Sequence, residues 1–161
     1  MFWNIPHKIK VYEALGCLTD GRLEVSADDG SGVVKAKVYS SSRKKFYDVS
    51  FNKKTMSIMS NDNTAYYKGY LSYPSIALLM TLGLVNYDKS VSESLKGIPW
   101  KDINQKYNND FDKVREDVFV IIRSKGFDPE VIKIDVENIM SQLRDLNMSY
   151  LGKKQMPPEG Y

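Results

Sequence analysis

The chain has 161 residues, 42% of them hydrophobic and 27% charged, with a formal net charge of +3. That length suits one domain able to bury about two thirds of its unfolded surface, and the balance argues against disorder along most of the chain. A single cysteine and a single histidine exclude an internal disulfide and a Cys/His zinc site of about four ligands, and any catalytic triad would depend on His7 near the chain end.

No stretch approaches the roughly 18 apolar residues of a membrane span. Residues 1–7 lack the basic, apolar and small-residue segments of a secretion signal. The expectation is a cytoplasmic protein with no membrane partner, with Cys17 a small buried apolar side chain and His7 at a helix terminus or on the surface. The charge is unevenly spread. Residues 1–54 hold ten Lys/Arg against six Asp/Glu, or +4, and the rest hold thirteen against fourteen, or −1.

In chain order, a first helix is expected over 5–16, capped by Asn4, with Pro6 in the first turn. A turn at 19–21 leads to a short strand over 22–25, and Asp28-Asp29-Gly30-Ser31-Gly32 is a strong turn signal. Residues 33–40 alternate, with Val34, Ala36 and Val38 on one face and Lys35, Lys37 and Tyr39 on the other. After a polar turn at 40–44, residues 45–52 alternate again, with Tyr47, Val49 and Phe51 inward. A turn at 52–54 precedes a further strand over 55–59.

The period then changes. Residues 60–64 form a polar loop, 65–71 an aromatic-rich segment, and Pro74 opens a helix over 75–84 that is apolar nearly all round, as a buried core helix is. Shorter amphipathic helices follow: one started by Asp88 or Ser90 and ended by Gly97, and one from Pro99 carrying Trp100, Ile103 and Tyr107. Asn109 or Asp110 caps a longer helix with Phe111, Val114, Val118, Ile121 and Ile122 on one face, stopped by Gly126. Asp128-Pro129-Glu130 starts the last, whose Ile132, Val136, Ile139, Leu143 and Leu146 form a short heptad seam. The seam suits a helical hairpin within the chain, and alternatively a homodimer through residues 129–148.

The fold class expected is α+β: an antiparallel meander of three or four strands on a buried helix, then a helical subdomain. One domain covers 1–152, β-rich over 19–71 and helical over 74–150, and 153–161 is a flexible tail. Over about a quarter of the chain, residues 45–85 run as strands, polar loop, aromatic stretch and then Pro74-Ser75-Ile76-Ala77-Leu78-Leu79 opening a helix. That order resembles the ββα unit of the SWIM zinc-binding family. The family's C-x-C and C-x-H ligands are missing, with Tyr73 and Ser75 at two of those places, so the resemblance implies no zinc and no membership.

No phosphate-loop or dinucleotide signature is present, and no catalytic residues, metal ligands or cofactor are assigned. The most function-like feature is the central hairpin: seven Lys/Arg against Asp48 between residues 33 and 54. Lys35, Lys37, Tyr39, Arg43, Lys44, Lys45 and Phe46 together offer cations between aromatic rings, the chemistry of RNA or single-stranded DNA binding. Lysines on a strand also serve simply to discourage sheet-to-sheet aggregation. The alternative is a small-molecule-binding protein or enzyme with its site at the 60–70 loop, using Ser60, Asn61, Asp62, Tyr66 and Lys68. The plainer reading of that loop is an Asx turn. The favoured function is thus a small non-catalytic binding protein.

Overall fold

The computed structural model describes residues 1–26 and 30–159. Asp28 and Asp29 of the expected turn lie outside them. The chain forms an open five-stranded mixed sheet with helices, an α+β fold as expected. Strand order follows the chain: β1 (Leu23–Val25), β2 (Val33–Tyr39), β3 (Phe46–Asn52), β4 (Ser57–Ser60), β5 (Ser149–Tyr150). The first four pair antiparallel, and β5 adds parallel to β4.

The alternation of β2 and β3 does what the sequence expects of it. Ala36, Val38, Tyr47, Val49 and Phe51 are buried on one face. Lys37 pairs with Asp48 and Tyr39 with Phe46 on the other. Helix α2 (Tyr73–Thr81) packs against β3 and β4, and α1 (Ile9–Thr19) packs on α2. Residues 74–80 of α2 are all buried, as an all-round apolar helix requires. The turn before β4 places Met56 in the left-handed region, and the strand starts two residues later than its apolar pattern suggests.

The first helix is a correction. It starts at Ile9 rather than near residue 5, because Asn4 is occupied elsewhere: its backbone bridges to Tyr70, with Asn4 N donating to Gly69 O at 3.0 Å. Trp3 packs beside Tyr150 and donates its indole N–H to Ile58 O at 2.8 Å, so the chain start is stitched to the sheet. His7 stands at the helix start, accepting the Ile9 N–H on Nδ1.

The aromatic segment after β4 is a π-helical turn (Thr64–Lys68) closed by Gly69 in the left-handed conformation. Beyond α2 come α3 (Lys89–Ser92), a 3₁₀ turn (Glu93–Leu95), α4 (Trp100–Lys106), α5 (Phe111–Ser124) and α6 (Pro129–Leu146). Side chains of Asp88, Asp110 and Asp128 cap α3, α5 and α6 as their positions suggest.

Helices α5 and α6 contact each other across a short connection, and α6 also meets α1 and α3. Ile132, Val136, Ile139 and Leu143 are fully buried in the process. The heptad seam is therefore occupied inside the chain, while Val131 and Ile134 of the same helix face outward. None of the helices α4–α6 lies over the outer face of β2–β3, where Lys35, Lys37 and Phe46 remain exposed.

Candidate functional site

At one end of the sheet β2 leaves, β3 enters and β4 leaves. Helices α1 and α4 stand across from that end, and between them lies a cleft of about 320 Å³. Its walls carry three cations, Lys10, Arg22 and Lys101, and two carboxylates, Glu13 and Asp62. Such a concentration in a cleft is unusual for a domain this size, because buried charges cost free energy unless paired.

Helix α1 supplies the first pair. It is buried along most of its length, yet carries Lys10 and Glu13 one turn apart, so both project to one side. Lys10 Nζ lies 3.0 Å from Glu13 Oε2, and Asn104 of α4 donates to Glu13 Oε1 at 2.8 Å. Glu13 is 2% exposed and has both oxygens occupied.

Arg22, just before β1, is also 2% exposed. Its Nη1 donates to Tyr39 O at 2.9 Å, and Asp20 Oδ2 stands 3.7 Å from Nε, beyond hydrogen-bond reach. Nε and Nη2 have no hydrogen-bond partner. The Tyr73 ring lies 5.8 Å from the guanidinium carbon, and burial pushes its hydroxyl well above the usual range for tyrosine, with Arg22 pulling the other way.

Two more unpartnered polar atoms belong to residues of the same walls: Asn104 Oδ1, and the Trp100 indole N–H, whose nitrogen stands against Gly16 of α1. Of the six buried side-chain nitrogen and oxygen atoms without a partner among the described residues, four belong to these three cleft residues. Buried polar groups are normally satisfied, so the clustering singles out the cleft.

Asp62 accepts hydrogen bonds on both of its oxygens. Its Oδ2 accepts from the hydroxyls of Ser60 and Ser72, and its Oδ1 from Ala65 N at 2.9 Å. The carboxylate ties the end of β4 to the π-helical turn and the start of α2. The rest of the 60–70 loop set diverges. Asn61 Oδ1 accepts from Asp48 N at 2.8 Å, Tyr66 offers its carbonyl to Lys154, and Lys68 is exposed on the rim of a neighbouring cavity.

The hairpin set is also split. Lys35, Lys37, Arg43, Lys44 and Phe46 are exposed, and Tyr39 is partly so. Lys37 Nζ sits 4.7 Å from the centre of the Phe46 ring, and Tyr39 lies 5.9 Å from Phe46. Lys37 is flanked in register by Glu24 and Asp48, which neutralise part of its field. Arg43 donates to Asp20 O at 2.7 Å, and Lys45 reaches over Tyr47 on the opposite face.

Of the cleft residues, sequence reasoning singled out Asp62 alone. Lys10 and Glu13 did leave a signal: two charges one turn apart on a helix with little polar surface. Arg22 left none, since one arginine at a strand entry reads as ordinary surface. Cys17 is buried, with its thiol pushed up to about 11, an unreactive environment. Among the described residues no cluster of three metal-ligating side chains occurs, and no helix is long and apolar enough to cross a membrane.

Fold and cleft together define an α+β protein with an open sheet and a polar, partly unsatisfied pocket at the sheet's end. A family model described as "Uncharacterised conserved protein UCP014422" matches residues 3–149, and the chain belongs to that family. No curated protein and no solved structure matches it.

Proposed function

We propose that the protein is a binding protein for a small anionic molecule, held in the cleft between α1, α4 and the end of the sheet. The observation that carries this is the buried Arg22, whose Nε and Nη2 lack partners in a pocket wall. An arginine fork presents paired donors that match a carboxylate or phosphate, and an anion seated there would supply the hydrogen bonds that the Asp20 carboxylate, 3.7 Å from Nε, does not. Asn104 Oδ1 supplies one acceptor, and the cleft's size suits a metabolite. Asp62 acts as scaffold, so the reading is of binding rather than catalysis.

The test is an NMR titration with inorganic phosphate, supported by thermal denaturation. Saturable shifts at Ser41, Asn63, Lys101 and Asn104 are expected, and Arg22→Lys, which keeps the charge and loses the fork, should weaken binding about tenfold. Shifts that never saturate, or an R22K variant that binds as well, would remove this reading.

A second reading keeps the outer face of β2–β3 as a surface for RNA or single-stranded DNA. Its support is that Lys35, Lys37 and Phe46 stand exposed on one uncovered sheet face. Anisotropy titration of short oligonucleotides at two salt concentrations tests it, with binding expected to fall as salt rises. Affinity untouched by replacing Arg43, Lys44 and Lys45 with Ala would count against it. A homodimer through residues 129–148 would have to use the outward Val131 and Ile134, and light scattering across a concentration series decides that.

A further inference from the structure

A second cavity, of about 490 Å³, opens beside the cleft, and the two share Lys10, Asn63, Thr64 and Asn109 as wall residues. Its chemistry is different: the rings of His7, Tyr67, Tyr70 and Phe111 line it, with Lys68 at the rim. Lys10 stands in the wall between the two spaces. Its Nζ is 3.0 Å from Glu13 Oε2 on the cleft side and 4.8 Å from the centre of the Phe111 ring on the other.

Both ends of the aromatic wall are held in place. His7 accepts the Ile9 N–H on Nδ1 at 3.0 Å, which puts its own proton on Nε2, facing Asp112 Oδ1 at 3.4 Å. Its ring lies 5.4 Å from Phe111. Across the junction, the loop between α4 and α5 carries two successive left-handed residues, Asn108 at φ 49° and Asn109 at φ 60°. That conformation is uncommon outside glycine and best tolerated by Asn, and it recurs at binding sites.

We infer that the ligand of the cleft extends into this second cavity and is a nucleoside monophosphate, with phosphate at the Arg22 end and base among His7, Tyr67 and Phe111. The inference rests on the cleft being an anion site. Two neighbouring cavities with shared walls, one holding a buried arginine with unsatisfied donors and one walled by rings, match a molecule with a charged head and a flat body. A purely apolar ring would need only the aromatic wall. The amides of Asn63 and Asn109 and the tyrosine hydroxyls add partners for the polar edge of a base. Every base offers a face for stacking, so the pattern selects the class of ligand and leaves the base open.

NMR titrations of the full chain with inorganic phosphate, AMP, UMP and adenosine test it. A monophosphate should bind at least about tenfold more tightly than phosphate, a stacking-sized gain, and should shift His7, Tyr67 and Asn109. Tyr67 and Tyr70 line the second cavity and not the cleft, and both are exposed, so Tyr67→Ala and Tyr70→Ala should fold. Both should erase most of that gain while phosphate binds as before. If monophosphates bind no better than phosphate, or both variants keep the gain, the inference falls and the anion site stands. Adenosine binding as tightly as AMP would also overturn it. If neither phosphate nor any monophosphate saturates, the anion reading falls with it.

Discussion

In the cleft, the side chains of Arg22 and Lys10 are 2% and 12% exposed, and each is oriented by a neighbour it cannot leave. On the outer face of β2–β3, Lys35 and Lys37 stand in water, and Lys37 has the carboxylates of Glu24 and Asp48 on the strands beside it. Two unit charges 4 Å apart interact by about 1 kcal/mol in water and about four times that near a protein surface. The hairpin holds more cations, but the cleft holds the more deeply buried ones, each beside a carboxylate: Lys10 at Glu13 and Arg22 at Asp20. Counting charges along a chain thus points to the hairpin, and counting desolvated, unpaired donors points to the cleft.

The contrast can be broken most forcefully at Asp62. Asp62→Ala should cost on the order of 3 kcal/mol, since two buried hydroxyls and a backbone N–H lose their acceptor. Denaturant unfolding measures it. A loss below about 0.5 kcal/mol, the range of an ordinary surface change, would contradict its role as scaffold.

Gly16→Ala comes next. Alanine normally favours a helix over glycine by about 0.5–1 kcal/mol. Here an added Cβ would lie 2.7 Å from Trp100 Nε1 and 3.4 Å from Leu95 O, so overpacking should win and destabilise by about 1–3 kcal/mol. Weaker phosphate binding should accompany it, because Trp100 lines the cleft.

Alkaline pH gives a smaller, graded effect. Burial pushes the Tyr12 hydroxyl up to about 12 and that of Tyr73 well above the usual range. A neutral group whose folded pKa is raised contributes stability that is complete below its unfolded pKa and declines above it. Stability should therefore fall as pH rises through about 10, the pKa of an unfolded tyrosine. Absorbance titration of the phenolate should show a class of tyrosines ionising late, and Tyr12→Phe and Tyr73→Phe should each shrink it.

The least effect is expected on the outer face. Lys37→Ala should change stability by less than about 1 kcal/mol, because an exposed cation over a ring contributes no more than that. A larger loss would show that this face, too, is more than solvated surface.

Much of the fold was legible. Period-two alternation placed β2 and β3 and both their faces, and the Asp caps before α3, α5 and α6 marked their starts. The first helix was misplaced because Asn4 and Pro6 make a good local start signal, while the bridge from Asn4 to Tyr70 is a long-range pairing that the signal cannot register. The fifth strand was missed for the same reason: Ser149-Tyr150 is two residues long and exists only because β4 has a free edge beside it. Lys35 and Lys37 of the hairpin were visible and correctly placed on the outer face, whereas Lys45 reaches over Tyr47 on the other.

The cleft belongs to another category. Lys10, Glu13, Arg22, Asp62 and Trp100 are scattered over ninety residues, and none is part of a spaced motif. Local sequence determined which residues face inward, where helices begin, and which chemistries a chain with one cysteine and one histidine lacks. Periodicity and capping act over a few residues, which is why those features can be read from the chain alone. Only tertiary packing decided which charges share a wall, because desolvation depends on what the rest of the chain places around a side chain. It left Arg22 Nε and Nη2 buried without a hydrogen-bond partner, and that could not be inferred before the sheet and helices were assembled.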